Sequence, residues 1–161
     1  MPYAELHTLT CYSFLRGASH PQELVERAAE LGYQAIAITD ECSLAGVVKA
    51  HVAARQAGIQ LIIGSELNLV EGVQLVALAP SRAAYSELSG LISLARRRSP
   101  KGEYRVALRD VIFHLKRCLI IWKPTGAAVD DTGSNPSTAE LGYGQQLARL
   151  CRGRVWLGVT H

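Results

Sequence analysis

Three side chains that can bind divalent cations lie at or just past the ends of strand-like segments: His7, Asp40 and Glu66. Imidazole nitrogens and carboxylate oxygens are common ligands for such ions. Where helices connect the strands of one sheet, chemistry is expected at the carboxyl ends of those strands. The sequence therefore predicts that these three side chains face a common site.

Strand-like and helical segments alternate through the first half of the chain. The strand-like segments are residues 6–9, 35–39, 59–63, 67–70 and 73–79. Helices are expected from Pro21 after a cap at Ser19 or His20, from a cap at Ser43 as far as Gly58, and from Pro80-Ser81 onward. This alternation predicts an α/β fold with a parallel sheet and right-handed crossovers.

The second half of the chain is less regular. It contains a short helical segment at 106–113, a strand at 118–122, a helix from about Thr138 and a strand at 155–159. Residues 125–137 are rich in Gly, Asp, Ser and Pro, which predicts a surface loop. Because the chain stops at His161, directly after a strand, we expect a single domain over residues 1–161 that is truncated.

Composition and charge exclude several classes of protein. The 161 residues are 48% hydrophobic and 19% charged, which is typical of a globular domain, and the net charge of +3 does not by itself require a nucleic-acid partner. The four cysteines form no CxxC pair, which argues against a zinc knuckle or a disulfide framework. With no apolar run approaching the roughly 20 residues of a membrane span and no signal-peptide pattern, we expect a cytoplasmic chain without a membrane partner.

Four groups of residues then suggest a family. The segments ELH and YSFLRGA (5–7 and 12–18), AITD and LAG (37–40 and 44–46), GI and IGSE (58–59 and 63–66), and LVALA (75–79) follow one another. In this order they resemble the polymerase and histidinol phosphatase (PHP) domain, in the version found in bacterial polymerase III alpha-subunit-type DNA polymerases. Residues 24–28 and 39–43 are most similar to the error-prone, damage-tolerant branch. The resemblance implies a distorted (β/α)7-type barrel, incomplete here at its C-terminal end.

The resemblance also implies a set of metal ligands, because active members of the family hold up to three ions and hydrolyse phosphoesters. The expected ligands that remain are His7, Asp40 and Glu66, and Glu41 stands where a His often follows the Asp. The positions at which an expected ligand is replaced are Leu9, Arg16 and Gln74.

This set of ligands is too small for a catalytic cluster of two or three metals. Arg16 adds a fixed positive charge that opposes cation binding and can instead pair with Asp40 or Glu66. We therefore expect a degenerate site with no catalytic residue and no tightly bound cofactor. The alternative is one divalent ion (Zn, Mn or Mg) held by His7, Asp40, Glu41 and Glu66.

By the same resemblance, we expect a structural domain packed against the palm and thumb of an error-prone DNA polymerase acting in replication and translesion repair synthesis. DNA would be met through the parent polymerase, and accessory mutagenesis proteins are further expected partners. One rival is an active metal-dependent phosphoesterase or 3′–5′ exonuclease. The other is a nucleic-acid-binding module, which would use the basic residues Arg96, Arg97, Arg98, Lys101 and Arg105.

Overall fold

The computed structural model of the chain describes residues 3–124 and 138–158. The strands within them are β1 (Ala4–Thr8), β2 (Ala35–Ile38), β3 (Gln60–Asn68), β4 (Gln74–Ala79), β5 (Leu119–Lys123) and β6 (Val155–Leu157). The helices are α1 (Pro21–Glu30), α2 (Val47–Ala57), α3 (Arg82–Arg97), α4 (Leu108–His114) and α5 (Thr138–Leu150). The loop expected at 125–137 lies outside the described residues, as does the end of the last strand segment. None of the helices described is long and apolar enough to cross a bilayer.

The six strands form one sheet in chain order, from β1 at one edge to β6 at the other, and the sheet curls into a half-barrel. The predicted α/β class is confirmed. The prediction of a parallel sheet is wrong for its centre: β4 is antiparallel to both β3 and β5, whereas the pairs β1–β2, β2–β3 and β5–β6 are parallel. The β3–β4 pair is antiparallel because the two strands are joined by a tight connection, in which Gly72 adopts a left-handed φ of 80° and no crossover helix intervenes.

Several predicted boundaries differ from the structure by a few residues, and two of the differences concern elements near the predicted site. Segments 59–63 and 67–70 form one strand, β3, because Gly64 continues it: a Cβ at Gly64 would lie 2.7 Å from the carbonyl oxygen of Ala77 on β4. Helix α2 begins at Val47 rather than after Ser43, whose side chain accepts from the Ala45 N–H (3.2 Å) within a turn. The starts of α1 at Pro21 and of α3 after Ser81, which caps the Ala84 N–H, are confirmed.

The described helices pack against one face of the sheet. Helices α1 and α2 cover β2 and the start of β3 through a small cluster that includes Val25, Ile36, Ile38 and Ala50. A larger cluster joins α3, α4 and α5 to β3, β4 and β5, and it includes Leu75, Leu88, Leu91, Val111, Ile120 and Leu147. Alternate strand residues point to the opposite face, as the period of two requires.

The opposite face of the sheet is also apolar. Ala37, Val76 and Leu78 are buried there, with Ile62, Leu119 and Ile121 packed against them. This face lines a recess of about 910 Å³, whose polar residues, among them His7 and Lys123, are a minority of its lining.

We expect the α3 interface to carry much of the stability, and two leucines of this helix test it. Leu88 is fully buried, so Leu88→Ala should lower the free energy of unfolding by about 2–5 kcal/mol through lost contacts and a cavity. Leu94 is 39% exposed, so Leu94→Ala should cost less than about 1 kcal/mol. Urea unfolding measures both, and equal losses would contradict the packing described here.

Candidate functional site

The residues singled out in the sequence converge at one end of the parallel part of the sheet. His7 belongs to β1, Asp40 and Glu41 follow β2, and Glu66 lies in β3. Glu66 is inside its strand rather than past its end, because β3 extends beyond β2. A β-bridge pairs Glu41 with Glu66 and holds the two segments in register.

Glu66 is the centre of the site. Its side chain is fully buried, and both carboxylate oxygens have cationic or hydrogen-bonding partners. His7 Nε2 lies 2.7 Å from Oε2, Lys123 Nζ lies 3.4 Å from the same oxygen, and Arg16 Nη1 donates to Oε1. Burial alone would raise the pKa of this carboxyl, but the His7 and Arg16 hydrogen bonds and the charges of Arg16 and Lys123 outweigh it and lower the pKa to about 2.

Arg16 joins Glu66 to Glu41. The same nitrogen, Nη1, donates to Glu41 Oε2 at 2.9 Å, so one guanidinium bridges two carboxylates. Hydrogen bonding to Glu66 raises the pKa of Arg16 above its ordinary value despite partial burial. The predicted pairing of Arg16 with Glu66 is confirmed, and Glu41 rather than Asp40 is its second partner.

The loop after β1 delivers Arg16 to this position. It passes so close to itself that a Cβ on Gly17 would lie 2.1 Å from the carbonyl oxygen of Thr10, and Leu15 adopts a left-handed φ of 61°. Asp40 holds the loop closed: it is buried and accepts from the Thr10 N–H (2.8 Å), the Thr10 hydroxyl (2.8 Å) and the Ser13 hydroxyl (2.7 Å). These bonds occupy both oxygens of Asp40.

Glu41 has a second set of partners that sequence reasoning missed. The Tyr104 hydroxyl and the Asn68 amide each donate to Glu41 Oε1 at 2.7 Å. Although burial raises the pKa of Glu41, these two bonds and the one from Arg16 lower it overall. Burial and the bond to Glu41 raise the pKa of Tyr104.

The two remaining substituted positions contribute no metal ligand. Gln74 opens β4 and donates its amide to Asn68 Oδ1 at 2.8 Å, so it supports Glu41 indirectly. Leu9 follows β1 and has no donor atom. Within 3–124 and 138–158, no group of three or more His, Cys, Asp or Glu residues has a metal-binding arrangement.

The residues present do not fit the metal cluster that the family fold implies. A divalent cation among them would meet the guanidinium of Arg16 and the ammonium of Lys123 at about the distance of an ion pair, where repulsion is strong in a partly buried site. Every carboxylate of the group already has donors from the protein.

The basic residues between 96 and 105 fall into two groups, one directed inward and one exposed. Arg96 turns inward: its guanidinium donates to the Cys42 carbonyl oxygen at 3.2 Å and lies 5.2 Å from the centre of the Tyr104 ring. It thereby supports Cys42, which has a left-handed φ of 42° directly after Glu41. The other four residues named in the sequence, Arg97, Arg98, Lys101 and Arg105, are exposed.

Comparison with known proteins identifies the family of this chain and solved structures with a similar fold. The family model of the PHP domain matches residues 5–124. The chain is 53% identical over 161 residues to the error-prone DNA polymerases of Saccharophagus degradans and Teredinibacter turnerae, covering 100% of this chain and 15% of each relative. The chain thus spans about 15% of the length of these relatives.

Among solved structures, an amidohydrolase from Chromobacterium violaceum with bound sulfate and no metal has a TM-score of 0.70 at 15% identity. The match covers 96% of this chain and 75% of that one. At this identity the likeness concerns the fold alone, and it agrees with the barrel-type architecture that the sequence predicts.

Arg16 should be a structural counter-ion, and a comparison with a surface ion pair tests this. Arg16→Gln leaves the buried Glu66 short of a cation, so it should lower the free energy of unfolding by about 1–3 kcal/mol. The control is Arg27→Gln, which breaks an exposed pair with Glu30 and should cost less than about 1 kcal/mol. Equal, small losses in urea unfolding would show that Arg16 does not compensate Glu66.

The low pKa of Glu66 also predicts a pH dependence. The group has an ordinary value of 4.5 in the unfolded chain and about 2 in the folded one, so the unfolded state binds more protons between these values. Its contribution to stability is therefore complete above pH 4.5 and is lost as the pH falls towards 2. Urea unfolding from about pH 3 to 6 should show stability rising with pH, with a smaller rise in Glu66→Gln. Identical slopes would contradict this assignment.

Proposed function

Since this chain belongs to the PHP domain family, we propose that it is the PHP domain of an error-prone DNA polymerase and that its role there is structural. The support for the polymerase is the 53% identity to two relatives of that name across the whole chain. Because the chain spans only 15% of those relatives, nucleotide addition, replication and synthesis past DNA lesions belong to the longer protein in this proposal. We assign that protein to the bacterial cytoplasm.

One observation carries the structural role: cations of the protein occupy the neighbourhood in which a metal cluster would lie. Arg16 bridges Glu41 and Glu66, and Lys123 lies 3.4 Å from both His7 Nδ1 and Glu66 Oε2. A metal cluster would neutralise the same carboxylates and connect the same strands. In the proposal, ion pairs and hydrogen bonds of the protein serve that purpose.

The recess beside the site gives independent support. It is lined mainly by apolar side chains from β3, β4 and β5, and a phosphoester would have to bury its charge against them. A catalytic phosphoesterase needs several cationic or metal groups directed at the phosphorus. Here the ammonium of Lys123 is already directed at Glu66.

A structural domain of this kind would serve as a rigid support for its neighbours. The ion-pair network connects β1, the loop after it, β2, β3 and β5, so it fixes most of the sheet as one body. In the proposal the palm and thumb of the polymerase pack against this body, DNA is held by the longer protein, and accessory mutagenesis proteins are further partners.

Metal content and hydrolysis test the proposal together. After equilibration with Zn²⁺ or Mn²⁺ and removal of free ions, elemental analysis of the chain should find well below one ion per molecule. Hydrolysis of p-nitrophenyl phosphate should match that of Glu66→Gln, which retains the shape of the side chain but lacks its charge. One or more tightly held ions, lost together with hydrolysis in Glu66→Gln, would contradict a structural role and favour the phosphoesterase or exonuclease alternative.

A further inference from the structure

A basic recess lies between the end of α3 and the start of α4, away from the ion pairs of Glu66. Its volume is about 290 Å³, and it is lined by Val70, Arg98, Arg105, Ala107, Arg109 and Asp110. Three guanidinium groups and one carboxylate leave an excess of two positive charges on this lining. We propose that this recess binds phosphate groups of a nucleic-acid backbone.

The one acid of the recess is already neutralised. Arg98 donates to both oxygens of Asp110, and the Ala107 N–H donates to Asp110 Oδ2 at 2.8 Å. Arg98 also donates to the Arg105 carbonyl oxygen, which fixes the segment carrying Arg105 against the end of α3. The Asp110 carboxylate thus positions Arg98 and leaves its own charge compensated.

Two guanidinium groups remain available to a ligand. The side chains of Arg105 and Arg109 are exposed and make no hydrogen bond or ion pair with any residue in the described ranges. Both flank the compensated Asp110. Glu71, next to Val70 in the chain, is not part of the lining, and its carboxylate accepts from the Leu108 N–H at 3.1 Å. The two guanidinium groups therefore have no unpaired acid beside them among the described lining residues.

The form of the recess indicates a polymer of phosphates rather than a single enclosed anion. Arg97, the last residue of α3, and Lys101, in the turn that follows, are also exposed, so further positive charge lies close to Arg98 along the chain. A guanidinium matches phosphate oxygens in a two-point geometry, and a row of exposed cations suits a backbone that carries one charge per nucleotide. None of the described residues that line the recess is aromatic, so we expect backbone contact without base stacking.

The basic residues available for binding differ from those named in the sequence analysis. Arg96 is not available, because its guanidinium is directed at the Cys42 carbonyl oxygen. Arg109 is an additional basic residue of the recess. It lies outside the basic run of the sequence, but the turn into α4 brings it beside Arg105.

The test is the binding of a fluorescein-labelled single-stranded oligonucleotide of about 20 nucleotides to the 161-residue chain, followed by anisotropy at about 50 and 200 mM salt. Arg105→Glu/Arg109→Glu should weaken binding about tenfold or more at the lower salt and reduce the salt dependence. The matched control is Arg55→Glu/Arg82→Glu, which makes the same change in net charge on exposed residues of α2 and α3. It should change affinity by less than about threefold. Circular dichroism checks that each variant is folded.

Three results would overturn the proposal. Absence of salt-sensitive binding by the unaltered chain is the first. Equal weakening in the two double variants is the second, because it would assign binding to net charge alone. The third is displacement of the oligonucleotide by inorganic phosphate, but not by chloride at matched ionic strength, which would identify a site for free phosphate instead of a nucleic-acid backbone.

Discussion

The buried carboxylate of Glu66 is the constraint on which the site depends. Burying an ionised carboxylate away from solvent costs several kcal/mol of desolvation free energy unless cations and hydrogen-bond donors compensate it. Removing one partner therefore destabilises the folded state. Here His7, Lys123 and Arg16 approach it from β1, β5 and the loop between β1 and α1. The geometry of three separate segments is therefore fixed by one charge. Asp40 contributes indirectly: by accepting hydrogen bonds from Thr10 and Ser13, it closes the loop that carries Arg16 to Glu66.

A metal cluster and an ion-pair network answer this requirement in different ways. Metals compensate carboxylates and can also lower the pKa of a bound water, whereas guanidinium and ammonium groups compensate carboxylates without generating a metal-bound hydroxide. In the proposed structural role, a chain with Leu9 and Gln74 at ligand positions and with Arg16 in the site keeps the architecture without the ligands of a catalytic metal cluster. Glu41, Asn68 and Tyr104 extend the network outward, and Arg96 connects it to α3 through the Cys42 carbonyl.

The sequence predicted the parts of this arrangement that depend on local pattern. The alternation of strands and helices brought His7, Asp40 and Glu66 to one edge of the sheet, and the charge of Arg16 predicted its pairing with Glu66. The antiparallel β3–β4 pair was missed because the expected alternation of strands and helices was applied to the whole sheet, although only the short connection around Gly72 separates segments 67–70 and 73–79. Lys123 and Tyr104 were missed for a different reason. Their place beside Glu66 and Glu41 depends on strand order and on the fold of the segment after α3, which no short-range spacing encodes.

The central claim is that protein cations, and not metal ions, stabilise this site. Thermal unfolding of the chain in Mn²⁺ and in EDTA is the test, because an ion that binds only the folded state raises the midpoint by an amount that grows with the logarithm of its concentration over its dissociation constant. If protein cations alone stabilise the site, the midpoints should agree within about 1 °C in the two conditions. A rise of about 4 °C or more in Mn²⁺, reversed by EDTA and absent in Glu66→Gln, would show that a metal site persists and would contradict the account.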